Sequence, residues 1–437
     1  MKTCVEAEFS WGFLFNWRND KIIRMKILII NKFLYPNGGS ETYIFKLGEQ
    51  LKKMGHEVQY FGMEHEGRCV GNNAESYTSD MDFHTGKLGK LLYPFKIIYS
   101  KEARVKLRAV LDDFKPDVVH VNNFNFQLTP SILYEVRDWE KKNYSDEEKK
   151  NGKKIKLVYT AHDSQLVCPN HLMQQYISGQ RCTECIGGSP WCCAKNKCIH
   201  GSRIKSILGS IEAFIYRSKK TYGMFDTVIC PSEFLKKKLD TLKEISDRTV
   251  VMHNFIDSPK SEENSASGEV PYVAYVGRYS EEKGIKTLLK VCKDLEEWDP
   301  LITFKMAGNG PLEDEVNKLG NVTNVGFQNA DGVREIMTNA AFLVFPSECN
   351  ENCPFTVMES ISYGTPVIGA NIGGVPELID NYENGILFES GNAKELMDKI
   401  QFLWNNKEDV IRLQKGCKKT VFDSLETYCE KLIKIYE

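Results

Sequence analysis

SPKSEENSASGEVPYVAYVGR, residues 258–278, divides the chain into two halves. Residues 258–269 are rich in Ser and Glu and show no apolar period, which is the composition of an interdomain linker. The run that follows, PYVAYVGR (271–278), is short, β-rich and ends on Gly and Arg, so it opens a second domain. Downstream the same pattern recurs in LITFKMAGNG (301–310), AAFLVFPSE (340–348) and TPVIGA (365–370), with helical stretches between. Upstream it runs through MKILIIN (25–31), a helical pattern from Ser40 that stops at Gly55, and a strand through Val58 and Tyr60. DVVHVN (117–122), KLVYTAHD (156–163) and DTVICPSEFLKKKL (226–239) continue it. Short apolar runs alternating with helices specify parallel strands joined by crossovers. The expected fold class is therefore α/β: two doubly wound domains, 25–257 and 270–412, facing each other across a cleft. Residues 1–24 read as an extension or a misassigned start before Met25.

Composition agrees with two globular units. A chain of 437 residues exceeds what one core usually serves. Hydrophobic and charged fractions of 42% and 27% exclude a disordered or fibrous chain. Lys plus Arg, 57, nearly balances Asp plus Glu, 59, so no global basic field exists to hold a nucleic acid. No apolar run is long enough to cross a bilayer, and no export signal is evident, so a cytoplasmic location is expected.

In open parallel sheets, ligands bind beyond the carboxyl ends of the strands. After the first strand, Gly38 and Gly39 precede a helix, where backbone amides can approach a phosphate. Their spacing is not the G-x-G-x-x-G of dinucleotide folds. Gly277 and Arg278 end the first strand of the second half, and Lys283 stands at the following helix start. Fixed cations there suit phosphoryl transfer or departure of a diphosphate, or else each is a solvated surface residue. Gly308, Asn309 and Gly310 lie between the next strand and helix, open to close approach by a base or a phosphate, or else a plain tight turn. The strongest signal is PSECNENCPFTVMESISYGTPVIG, 346–369. Glu351 sits in a strand-end loop, Pro354, Phe355 and Thr356 open a helix, and Glu359 lies on it. Ionised carboxylates accept several hydroxyl donors each, which fits them to sugars.

These residues resemble the retaining glycosyltransferases of family four, the group-one enzymes of GT-B fold, whose E-x7-E motif matches Glu351 to Glu359. The resemblance covers nearly the whole chain from Met25 and implies two Rossmann-like domains, with the C-terminal helical tail, 413–437, packing back on the first domain. It implies sugar transfer from a nucleotide diphosphate sugar, a UDP-sugar by preference, to a saccharide or lipid-linked acceptor in cell-surface polysaccharide or glycolipid synthesis. By position Gly38 and Gly39 resemble the glycine loop near the diphosphate, and Arg278 and Lys283 the phosphate-binding pair. Glu351 resembles the acid beside the donor sugar, Glu359 the one that holds the ribose, and His162 the histidine near the sugar's outer hydroxyl. No divalent cation is required in the family, in keeping with the absence of an Asp-x-Asp pair from these loops. A nucleotide-sugar epimerase of the same fold and a non-catalytic nucleotide-sugar-binding protein are the alternatives.

Six of the fourteen cysteines fall between 168 and 198. Cys182-x2-Cys185 with Cys168, Cys193 and Cys198 offers the number and spacing of a structural zinc site, within an insertion at 168–200. An iron–sulfur cluster, a redox pair or unligated thiols remain open on spacing alone. Residues 87–108 carry seven Lys or Arg against one acid, with apolar residues interspersed, and 203–220 is a second basic amphipathic stretch. Both suit peripheral contact with an anionic membrane, or helices packed on a sheet with solvated outer faces.

Overall fold

A computed structural model describes residues 24–79, 98–256 and 271–437. Residues 1–23, the linker at 258–269 and residues 87–97 of the first basic stretch lie outside the described residues. The first domain holds β1 (Lys26–Ile30), β2 (Glu57–Phe61), β3 (Val118–Val121), β4 (Lys156–Thr160), β5 (Thr227–Cys230) and β6 (Thr249–Val251). They pair in parallel in the order β2-β1-β3-β4-β5-β6. The second holds β7 (Val273–Val276), β8 (Phe304–Ala307), β9 (Val322–Asn324), β10 (Phe342–Phe345), β11 (Val367–Ala370) and β12 (Gly385–Phe388), in the parallel order β12-β11-β10-β7-β8-β9.

Both faces of each sheet are covered, which is why the strands read as unbroken apolar runs. In β1 the side-chain period of two sends Leu28 and Ile30 into one core and Ile27 and Ile29 into the other. The helix Gly39–Lys53 lays Tyr43, Ile44, Leu47 and Leu51 on that second core and stops before Gly55, whose φ of +93° a side chain would resist.

The chain then returns. Helix Leu425–Tyr436 buries Tyr428, Cys429, Leu432 and Tyr436 in the first domain, alongside Ile27, Tyr43 and Phe255. Tyr428 and Tyr43 share a hydroxyl hydrogen bond of 2.9 Å, and the Tyr436 hydroxyl meets His120 Nδ1 at 2.7 Å. The crossing tail is shorter than its expected start at 413. Helix Lys407–Lys419 sinks Leu413 and Cys417 into the second-domain core, so it belongs there.

The basic stretches are partly spent inside the protein. Arg104 and Arg108 both pair with Glu135, at 2.7 and 2.5 Å, and the Glu135 side chain is fully buried. Arg217 donates to the carbonyls of Leu166 and Cys185, at 3.3 and 3.0 Å. These three cations are therefore not free to face a membrane.

Candidate active site

A cavity of about 480 Å³ lies between the domains. Its first-domain wall is built from the residues that follow the strands: Gly39 and Ser40 after β1, Asn123 after β3, His162 after β4 and Asn254 after β6. Its second-domain wall is Gly277 and Lys283 after β7 and the loop 345–356 after β10. The first sheet reverses strand order between β1 and β3, the second between β7 and β10. A cleft forms at each reversal, because the crossover helices there leave in opposite directions. The cavity joins the two clefts.

Lys283 Nζ meets Glu351 Oε1 at 2.6 Å. The same oxygen accepts the Ser347 hydroxyl at 2.8 Å, which leaves Oε2 for a ligand. Burial lowers the affinity of the Lys283 ammonium for its proton, but Glu351 and Cys349 outweigh it, and the net shift is upward. This lysine stays charged. His162 is the reverse case. Burial pushes its imidazole down to about 4, more than neighbouring Asp163 can offset, so it is neutral near pH 7. Its Nε2 lies 2.9 Å from Asn122 Oδ1, an acceptor, so Nε2 carries the proton and Nδ1 is left to accept. The ring packs edge-on against Tyr43, with centroids 4.9 Å apart.

Two helix N-termini meet here. Helix Phe355–Ser362 begins with no side-chain cap, and its Pro354, Phe355 and Thr356 line the cavity. Opposite, helix Gly39–Lys53 follows Gly38, which has no side chain to cap with. A Cβ built on Gly39 would lie 3.9 Å from the Phe355 ring. Uncapped amides and the positive ends of both helices thus bracket one space, a ready anion site.

The second domain's loop is clasped by the first. Asn352 Nδ2 donates to the His162 carbonyl at 2.6 Å, and Asn254 Nδ2 to that of Cys353 at 2.8 Å. Glu377 accepts the amides of Glu233 and Phe234, both at 2.7 Å, across the same divide.

Of the residues singled out from sequence, the structure gathers Gly39, His162, Gly277, Lys283, Glu351, Pro354, Phe355 and Thr356 around one cavity. Others stand off its wall. Arg278 is exposed just past the end of β7, although Tyr279 and Ser280 after it are buried. Gly308, Asn309 and Gly310 form the tight turn that presses on the neighbouring loop. The Tyr279 amide bonds to the Asn309 carbonyl at 2.8 Å, and a Cβ on Gly308, φ +153°, would strike the Gly277 carbonyl oxygen at 1.9 Å. Gly38 only precedes the helix. Glu359 is half-buried one turn along its helix; burial raises its carboxyl, and Lys46 of the first domain pulls it back.

Sequence reasoning missed three amides of the wall, Asn123, Asn254 and Asn352, whose buried Oδ1 atoms have no hydrogen-bond partner. Asn123 follows DVVHVN, the one signal available, but Asn is so common in turns that it carries little weight. The cysteine cluster is separate. Cys168, Cys182, Cys185, Cys192, Cys193 and Cys198 surround a second, much smaller cavity of about 10 Å³, and all are free thiols.

The sequence profile described as Glycosyltransferase Family 4 matches residues 37–259, and that described as Glycosyl transferases group 1 matches 257–420. An uncharacterized glycosyltransferase of Haemophilus influenzae is 28% identical over 380 residues, 85% of this chain and 88% of that protein. One from Methanocaldococcus jannaschii is 28% identical over 216 residues, 48% of this chain and 58% of that protein. The sulfoquinovosyl transferase of Arabidopsis thaliana is 29% identical over 146 residues, 32% of this chain and 28% of that protein. The chain thus spans little more than half of the second relative and under a third of the last. Among solved structures, sucrose-phosphate synthase from Thermosynechococcus elongatus superposes with a TM-score of 0.66 at 18% identity, covering 94% of this chain and 98% of that one. Anabaena HepE in complex with UDP gives 0.62 at 17% identity, covering 94% and 99%. Likeness at these identities is one of fold, and the fold is GT-B. With one profile alone spanning half the chain and the two together running from residue 37 to 420, the protein belongs to the group 1 glycosyltransferases of family 4.

Proposed function

We propose that the protein transfers a glycosyl group from a nucleotide diphosphate sugar, of the UDP-sugar class, to a saccharide or lipid-linked acceptor, with retention at the anomeric carbon and without a divalent cation. The observation that carries this reading is the Lys283–Glu351 pair on the same wall as the uncapped helix start at Phe355. When the bond from the sugar to the diphosphate breaks, negative charge grows on the departing oxygen. Lys283 and the amides of Phe355 and Thr356 are the groups that stabilise it, and they need no reorganisation to do so. Glu351 Oε2 and the neutral His162 Nδ1 accept sugar hydroxyls. The clasp on the 350–353 loop keeps water from the anomeric carbon. UDP as the nucleotide is supported by HepE, a protein of the same fold that was solved with UDP and with UDP-glucose.

One feature of the surface supports a lipid-linked acceptor. Trp191, Ile204 and Phe214 are 44%, 74% and 50% exposed, with Arg203 and Lys205 exposed beside them. An apolar face edged with cations suits the cytoplasmic surface of an anionic membrane, where lipid-linked saccharides of polysaccharide and glycolipid synthesis are presented. Among the described residues no helix is long and apolar enough to cross a membrane.

A panel of nucleotide diphosphate sugars read by thermal shift tests the donor, since a ligand at 100 times its dissociation constant stabilises by about 2.7 kcal/mol. The stabilising donor is then incubated with saccharide and polyprenyl-linked acceptors, and the product's anomeric configuration read by NMR. A product of retained configuration is expected. Donor turnover without any acceptor would mean an epimerase, and binding without turnover a non-catalytic binding protein.

A further inference from the structure

We propose that the first-domain thiol cluster binds one zinc-type dication through four thiolates drawn from Cys168, Cys182, Cys185, Cys193 and Cys198, and that the ion holds the loop 170–174 against the cleft. The site is independent of the transfer reaction and stands or falls separately from it. Three observations carry it. The thiols surround one cavity of about 10 Å³, room for a single small sphere. Around it Cys185, Cys193 and Cys198 form a satellite core whose one other buried member is Ile199. A core made of thiols buries too little apolar area to order a loop-rich segment, and a metal supplies what is lacking. Finally, Arg217 donates through Nη1 to the Cys185 carbonyl at 3.0 Å, while its Nη2 is buried with no acceptor. A dication held by four thiolates carries a net charge of minus two, and that complex adds to Glu212 as counter-charge for the guanidinium.

Among the described residues no three Cys, His, Asp or Glu side chains already stand at distances that would hold an ion. Binding therefore draws thiols inward. Rotation of a cysteine between staggered χ1 wells moves its sulfur by about 3 Å without moving the backbone. Each liganding thiol releases its proton to solvent as it binds. Cys192 also lines the cavity, but it is next to Cys193 on the helix Trp191–Lys195, where adjacent side chains do not share a face, so it is left out of the set.

The cluster reaches the cleft through the backbone. The Cys182 amide donates to the Met173 carbonyl at 2.8 Å, and Leu172 and Met173 line the large cavity. Asn350, next to Glu351, donates to the carbonyls of the same two residues at 3.4 and 3.3 Å. A metal at the base of this loop thus sets the wall that an acceptor passes.

The test is elemental analysis of the full chain purified under reducing conditions without chelator. About one equivalent of zinc per chain is expected, released by an organomercurial and counted with a chromophoric chelator. The double variant Cys182→Ser/Cys185→Ser is expected to lose the metal, and Cys192→Ser to keep it. Should the double variant not fold, zinc content and limited proteolysis at 170–180 of the wild type, before and after mercurial treatment, give the same answer. Metal-free protein with freely titrating thiols would overturn the proposal, as would iron with visible absorption, retention of zinc by the double variant or its loss from Cys192→Ser.

Discussion

Glu351 and Lys283 hold each other in place on the cleft wall, and each keeps a separate task toward a donor. Lys283→Ala removes the cation nearest the departing diphosphate and is expected to lower kcat by roughly 10²–10³, the usual cost of one preorganised donor. Glu351→Ala is expected to abolish measurable transfer while thermal melting shows an intact fold. Arg278→Ala belongs in the same experiment as a contrast: its exposed side chain predicts a loss of less than about 10-fold. Equal damage from Arg278 and Lys283 would mean that Arg278 swings inward on binding. Histidine adds a pH prediction. Burial pushes His120 down to about 3, and His162 to about 4. Both folded values lie below the unfolded value near 6.5, so their stabilisation is complete above that pH and is lost progressively as pH falls toward 3. Denaturant midpoints measured from pH 7 to 4 should fall more steeply for wild type than for His120→Gln, and parallel curves would refute this. At this scale the spacing of Glu351 and Glu359 made the site legible. The direction of a side chain was not legible: the end of β7 locates Gly277 and Arg278, but nothing in the sequence tells that Gly277 lines the cavity while Arg278 is exposed.

Elements were the easiest part to read, because buried parallel strands such as β1 and β10 are short unbroken apolar runs and their crossovers are helical. Their partners were harder. The apolar spacing of Leu413 and Cys417 announces a helix, but nothing in it says which core receives that helix. Loop contacts were likewise hidden, and they carry an element-scale prediction. Gly373, φ +58°, would place a Cβ 2.1 Å from the Glu351 carbonyl oxygen, and the Gly374 amide donates to that oxygen at 2.7 Å. The loop after β11 therefore props the loop after β10. Gly373→Ala should cost about 1–3 kcal/mol in chemical denaturation and displace Glu351, so that kcat falls as well. Full activity in that variant would show that the prop is dispensable.

At the level of the whole molecule, polar contacts among the described residues join the two domains, and Glu377 makes three of them. It binds the first amides of helix Glu233–Leu239 and lies 3.3 Å from His253 Nε2. Glu377→Gln removes the charge that those donors favour. A larger radius of gyration by small-angle scattering is expected, with a raised donor KM and a smaller change in kcat, while unchanged scattering would count against the latch. The polypeptide also passes between the domains twice. Ile256, at the end of the first domain, pairs with Ser424, which leads into helix Leu425–Tyr436, and the Ile256 amide bonds to the Asp423 carbonyl at 3.0 Å. A single tether would let one lobe swivel freely about the other. The pairing of Ile256 with Ser424 pins the start of one pass to the end of the other, which leaves the lobes fewer ways to turn than a lone tether would.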